Sequence, residues 1–420
     1  MTSIIVWEHP QYFTKYTYNK KRLVLHRASL KYYFNKLKEH YSAKYIEFDK
    51  NPNLPKKFVY FDPIDRIKLP KGIKLESPNF LLNNELIQEY HKKTNKFYFN
   101  GFYMWSKSKL DIIPSMKSQD SKNRKTVPKN TQIPSLSSLS GIDKKYIKSA
   151  EIYVEKNFPN NYGSVKFLSF PVTRESAKLW LRQFIAHKLK NFGDYQDYTI
   201  QGENYMFHSG LSSSINMGLL NPLEIIQELE KVKKKIPINS YEGLIRQYFW
   251  REYQRYCYIY LDDWYGDNYF DNTGKLTKKW YDGSTGIKPI DDAIKDAFDT
   301  GYLHHIRRLM FVANYMNLSG ISHIQGLRWF IEFALDSYEW VMYQNLDMGF
   351  FASGGKTSRK PYVTSSNYII KMSNYKKGDW CDVWDKLYQD FIKKNKQKLW
   401  KHRYHFPTLL KSTPNKLLKY

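Results

Sequence analysis

Apolar residues in this chain recur in two rhythms, short runs near the N-terminus and a helical spacing through most of the remaining length. Ser3–Trp7 is an apolar run that predicts a strand. Lys21–His40 carries apolar residues at helical spacing among lysines and predicts a basic amphipathic helix. Lys44–Phe48 predicts a second strand, with Phe58–Phe61 a candidate third. Strand, helix, strand at this spacing implies an α/β unit with a parallel, Rossmann-like sheet. The sheet is expected to be incomplete, because no strand and turn stand ahead of Ser3. No GxGxxG follows any strand, so this half carries no dinucleotide signature.

Between Ser115 and Gly141 the composition shifts to Ser, Lys, Asn and Pro, the profile of a linker or long surface loop. The expected organisation is an α/β domain over 1–114, a linker over 115–143 and an all-helical domain over 144–420. Arg174–Phe192 sets Trp180, Leu181, Phe184, Ile185 and Leu189 on one face. Asn221 and Pro222 form an N-cap and first-turn pair opening Leu223–Lys234. Ser240 is placed to cap an aromatic helix, Tyr241–Leu261. Pro289–Thr300 ends at Gly301, and further helices run to about Val341. No fixed-period repeat is present, which disfavours a solenoid. After Asp390 the tail has no acid and carries Lys393, Lys394, Lys396, Lys398, Lys401 and Arg403, either a phosphate-contacting arm or a solvated basic helix.

Composition narrows the class. Of 420 residues, 42% are hydrophobic and 17% aromatic, ample for a packed core, so disorder is excluded as the whole description. Lys and Arg number 67 against 40 Asp and Glu, a formal charge of +27. Self-repulsion of that size points to a polyanionic partner, nucleic acid before anionic membrane, with a generally basic background as the alternative. Cys257 and Cys381 cannot build a disulfide framework, which suits a reducing compartment. There is no signal-peptide core and no stretch of about 18 apolar residues, so a soluble intracellular protein is expected.

Three clusters carry candidate chemistry. Phe207-His208-Ser209-Gly210-Leu211-Ser212-Ser213-Ser214 precedes an apolar helix start. Small hydroxyl residues beside a glycine there can receive a pyrophosphate or simply cap the helix. Gly243 to Tyr253 sets Gln247, Arg251 and Glu252 within an aromatic helix, where a charge must be paired or face a cavity. Thr300 to Arg308 contains His304 and His305, followed by Asp336 and Trp340. Adjacent histidines on a helix point to different sides, so at most one is expected to face a given pocket, and no metal site is expected.

These clusters, in this order on a helical domain behind a small α/β domain, resemble the photolyase/cryptochrome family. The branch they resemble most is that of bacterial-type iron–sulfur (6-4) photolyases and deoxyribodipyrimidine photolyase-related proteins. Further matches are Glu8-His9-Pro10 with Leu23–Ser29, Asp120–Lys125, Gly354-Gly355 with Lys360-Pro361-Tyr362, and Lys371-Met372-Ser373. The resemblance implies FAD in the helical domain, with His208, Ser209, Leu211, Ser212 and Ser213 at its phosphates and Tyr195 an upstream aromatic contact. It also implies that Arg251, Tyr302, His305 and Arg308 lie along the cofactor, with Arg308 paired to Asp336. Implied with it is light-driven electron transfer from reduced FAD to a pyrimidine lesion flipped from UV-damaged DNA. His305 matches the proton-donating histidine of (6-4) enzymes, or alternatively a ribityl or phosphate contact. Gln247 stands where cyclobutane-dimer enzymes tend to carry Glu. By position Trp329 is nearest the flavin in an electron-transfer chain, with Tyr281 or Trp280, Tyr362 and Tyr368 further out; for each, core packing is the alternative.

The sequence also departs from that branch. Pro289 and Lys376 occupy two cysteine positions and only Cys381 matches a ligand, so no iron–sulfur cluster is expected and Ser373–Asp385 should be held by packing. Met342 stands where flavin N5 is usually faced by a polar residue, with Asn345 the nearest polar substitute. The incomplete first edge weighs against a ribolumazine-type antenna. A (6-4) photolyase acting as a monomer is the leading expectation. The alternatives are a cryptochrome-like photoreceptor without repair activity and a flavin-free DNA-binding remnant.

Overall fold

The structure, a computed structural model, describes residues 3–261 and 263–405. Its N-terminal part is α/β. β1, Ser3–Trp7, pairs in parallel with β2, Ser42–Ile46, across the helix Lys20–Lys38, with Ser3 opposite Ser42 and Trp7 opposite Ile46. The second strand thus begins two residues before its expected start. The expected third strand does not extend this sheet: β3, Val59–Phe61, pairs in parallel with β4, Ile73–Leu75, a strand with no sequence expectation. With three residues each and mostly exposed side chains, these strands offer little apolar alternation to read.

The basic helix Lys20–Lys38 is capped by Asn19, whose side chain accepts from Lys21 N at 2.9 Å. The cations of its first half, Lys20, Lys21, Arg22 and Arg27, are buried, whereas Lys36 and Lys38 are exposed. Arg27 bridges Glu8 at 2.6 Å and Glu47 at 2.8 Å, and Arg22 donates to the carbonyls of Tyr12 and Ser337.

The rest is helical, and one large apolar core runs from Phe13 to Leu399 through both parts, with two smaller clusters beside it. The expected helix Arg174–Phe192 is two, Arg174–His187 and Leu189–Tyr195, broken at Lys188. Lys188 turns inward to donate to Met206 O at 2.7 Å, and burial lowers its pKa to about 8. Asn221 caps Pro222–Glu230 with Glu224 in a capping box. Ser240, expected as a cap, lies inside the helix Ile238–Tyr260. It instead ties two helices together, accepting from Gly193 N at 2.9 Å and donating to Lys190 O at 3.1 Å. A Cβ on Gly193 would sit 2.5 Å from Ser240 N, so this crossing requires glycine. Lys288–Thr300 ends on Gly301 at φ +69°. Helices continue well beyond Val341, through Asp379–Lys394 to Lys396–Trp400.

The 115–143 segment is docked on the helical part. Asp120 meets Arg246 at 3.2 Å, Arg124 meets Asp197 at 3.2 Å, Lys125 meets Asp194 at 3.0 Å, and Gln119 N donates to Glu242 at 3.0 Å. In the basic tail, Lys398 folds back onto Asp271 and the Tyr269 carbonyl. Around Cys381, Tyr375 donates to Asp292 at 2.9 Å, Trp380 donates to Lys376 O at 3.2 Å, and Asp385 receives Ser366. Cys257 and Cys381 are both buried and unbridged. No described helix is long and apolar enough to cross a membrane.

Candidate functional site

A cavity of about 1150 Å³ opens where the Phe99–Lys109 helix and the docked 115–143 segment meet the helical part. Its lining includes His208, Ser209, Leu211, Ser212, Gln247, Arg251, Tyr302, His305, Arg308, Asp336, Met342 and Asn345. Three expected clusters, far apart in sequence, thus meet around one space.

The loop before the short helix Ser212–Asn216 is fixed by Trp180, which donates to Ser209 O at 2.8 Å, and by Gly210 at φ +62°. No side chain caps this helix, so the capping alternative for its hydroxyl cluster does not hold. Ser213 Oγ is buried without a partner but does not line the cavity.

Charged groups on one side are paired. Arg251 spends Nε on Asn216 at 2.9 Å and Nη1 on Asn79 O at 2.7 Å, with Phe80 and Trp340 against its guanidinium. Burial lowers its pKa to about 10 despite Glu252. Glu252 accepts from Leu81 N at 3.0 Å and Leu82 N at 3.2 Å, and burial raises its pKa. Arg308 holds Asp336 at 3.0 Å and donates Nε to Leu303 O at 2.6 Å.

Both His304 and His305 line the cavity, contrary to the expectation that only one could. The helical turn starts only at His305; Tyr302–His304 is non-helical, so the rule for adjacent helical side chains does not apply. A π-helical stretch, Arg307–Ala313, follows. His208 stacks on His304 with centroids 4.6 Å apart and lies 5.6 Å from His305. Burial pushes the pKa of His208 and His304 well below the usual value, reinforced by neighbouring cationic groups. His305 is 43% exposed and its Nε2 lies 3.3 Å from Asp197 Oδ1.

Gln247 donates to Gly243 O at 3.2 Å and reaches Gln196 at 3.5 Å. Met342 is fully buried, and Asn345 donates its amide back to Val341 O at 2.9 Å. Tyr195 does not line the cavity; its ring packs against Phe207, and it flanks a separate small cluster of Val127, Tyr198 and Met206. Trp329, Trp280 and Tyr281 also lie behind the wall, where Trp329 donates to Trp280 O at 2.5 Å. Tyr362 and Tyr368, expected further out, line the cavity themselves because the segment 360–371 forms part of its wall. Sequence reasoning missed Gln196, Asp197, Tyr248 and the Phe99–Trp250 pair, whose rings stack at 3.5 Å. Gly193, at the tight crossing just before Gln196 and Asp197, was the available signal.

Residues 63–170 match the family of deoxyribodipyrimidine photo-lyase-related proteins. A (6-4) photolyase of Agrobacterium fabrum is 37% identical over 261 residues, 59% of this chain and 52% of that protein. A bacterial class III photolyase from Agrobacterium tumefaciens superposes with a TM-score of 0.59 at 14% identity, covering 93% of this chain and 86% of the other. The chain is similar to photolyases in these stretches of sequence and has the photolyase/cryptochrome fold. A Synechocystis cryptochrome shares the fold too, with a TM-score of 0.52, 14% identity and coverage of 94% and 87%. The sequence match spans about half the length of the A. fabrum relative.

Proposed function

We propose that the cavity binds FAD and that the protein repairs UV-damaged DNA in light, acting on (6-4) photoproducts. The observation that carries this reading is the convergence of the uncapped Ser209–Ser212 loop, the Arg308–Asp336 pair and the exposed His305 on one cavity. The residues fit the cofactor: the volume suits a dinucleotide, and the unpartnered Tyr248 OH stands in its lining. Reduced flavin, when bound, supplies the light-driven electron.

The chain's own residues hold and orient. Ser209 and Ser212 offer hydroxyls to phosphates, and Arg308, fixed by Asp336, brings a cation whose own desolvation is already compensated. At the rim, Lys360 and Lys371 are exposed and suit the phosphates of a duplex. Asp197 orients His305 through Nε2, leaving the other nitrogen to hand a proton to a lesion extruded into the mouth. Gln247 presents donor and acceptor to a pyrimidine edge. The name of the 37%-identical A. fabrum relative supports the choice of lesion.

A cryptochrome-like photoreceptor is the second reading. Met342 favours it, since a fully buried thioether in the lining gives only a weak hydrogen-bond acceptor. The deciding experiment follows (6-4) and cyclobutane lesions in duplex DNA under blue light and in the dark. Light-dependent loss of the (6-4) product, abolished in His305→Asn with FAD retained, is expected. Photoreduction without loss of either lesion would select the photoreceptor and sink the repair reading.

A further inference from the structure

Three imidazoles at this cavity share a pattern that flavin binding does not require. His208 bonds to the Gln196 backbone and leaves Nε2 buried without a partner. His304 places Nε2 3.1 Å from Thr199 Oγ1 and leaves Nδ1 buried without a partner. His305 has Nε2 on the Asp197 carboxylate. One ring atom from each of the three lies within 4.8 Å of the others. His208 and His304 are 8% and 2% exposed, so their orphaned nitrogens forgo water as well as protein partners. A buried polar atom left unsatisfied loses its hydration and gains nothing in return. Two such atoms on rings whose centroids are 4.6 Å apart therefore call for a shared ligand.

We propose that His208, His304 and His305 form a three-imidazole site for a borderline divalent transition metal, zinc foremost, whose fourth position opens into the cavity. The donor chemistry selects the ion: imidazole nitrogen suits zinc, cobalt, nickel and copper, whereas magnesium and calcium need oxygen. Outward bonds of this kind, to a carboxylate, a hydroxyl and the backbone, fix the tautomer of ligating histidines. Burial keeps His208 and His304 neutral, the form in which imidazole ligates. The His208 and His304 rings stack at an interplanar angle of 14°, and a ligated metal lies near the plane of each ring. Binding therefore turns one ring and opens the stack. Where the proposed repair function holds, an ion on His305 takes the nitrogen that would deliver its proton, so metal binding and repair exclude one another.

The inference does not rest on the flavin reading, and one titration separates the two. Full-length protein as purified is titrated in the dark with Co²⁺ as the probe. The expected result is one equivalent bound, with the intense visible bands of a tetrahedral ion, displaced by Zn²⁺ and not by Mg²⁺. His305→Asn, with an unchanged far-ultraviolet circular dichroism spectrum, removes the bands. Asp197→Asn keeps all three ligands and weakens binding about 10–100-fold. Absence of the bands in the wild type, or their persistence in His305→Asn, would overturn the site. Flavin absorbance in the same samples reports separately on the cofactor reading, so either can fail alone.

Discussion

The two sides of the cavity solve opposite problems. Around Arg251, the charges are paired: Glu252 takes two backbone N–H groups, Arg251 is spent on Asn216 and Asn79, and Arg255 donates to Leu82 O at 2.8 Å, with its Nε alone left without a partner. Around His304, neutral rings sit buried with nitrogens unanswered. The first side is finished by the chain itself and holds the N-terminal part against the helical part. The second is finished only by something the chain does not supply. Ligand chemistry thus belongs to the imidazole side, and stability to the charged side.

Breaking the charged side should cost most. Glu252→Ala removes the acceptor for Leu81 N and Leu82 N and leaves Arg251 and Arg255 uncompensated, and it is expected to lose about 3–5 kcal/mol in denaturant unfolding. A loss below about 1 kcal/mol would erase the contrast.

Asp65 extends that side by accepting from Trp340 N at 2.8 Å, at the start of the helix Glu339–Phe350. Burial, and to a lesser degree the charge of Glu339, raises its pKa from 3.8 to about 7. Because the folded value exceeds the unfolded one, the native state holds the proton more tightly. Stability is then fully present below about pH 4 and is lost as pH rises through 7, by on the order of 4 kcal/mol. Asp65→Asn should flatten that part of the unfolding profile; an unchanged profile would refute the assignment.

Arg308→Met strands Asp336 at the junction of the two sides. About 1–2 kcal/mol of stability and a clear weakening of FAD binding are expected, read by thermal unfolding and flavin titration. If only stability falls, Arg308 is a strut and not a cofactor contact.

The imidazole side should be the most tolerant. His304→Phe removes an unsatisfied nitrogen and the bond to Thr199, so stability at pH 8 should change by less than about 1 kcal/mol. Below about pH 6.5 the wild type should lose stability, because the unfolded chain takes up protons that buried His208 and His304 refuse. The variant should lose less over the same range. A loss of several kcal/mol at pH 8 would mean that this side, too, is structural.

Legibility in the sequence followed the same division. Helices with strong periodicity or explicit end signals, such as Pro222–Glu230 after Asn221 and Lys288–Thr300 before Gly301, were readable to within a few residues. β4 was not, since three exposed residues carry no period. Ser240 looked like a cap because a hydroxyl beside an aromatic run usually is one; a helix crossing at Gly193 claimed it instead. In the site, His208, Arg308 and Asp336 were legible through their motifs. Asp197 and the pairing of His304 with His208 were not, because both depend on non-helical backbone that brings distant segments together. The electron-transfer set was placed by position in the chain, and the structure divides it: Tyr362 and Tyr368 line the cavity, while Trp329, Trp280 and Tyr281 sit behind its wall.

The central claim is that this cavity is a flavin site. Its most direct test is equilibrium titration of the purified protein with FAD, read by flavin absorbance and by fluorescence quenching. One FAD per chain, with affinity reduced in Arg308→Met, is the predicted result. A colourless protein that takes up no FAD at any concentration tested would contradict the account.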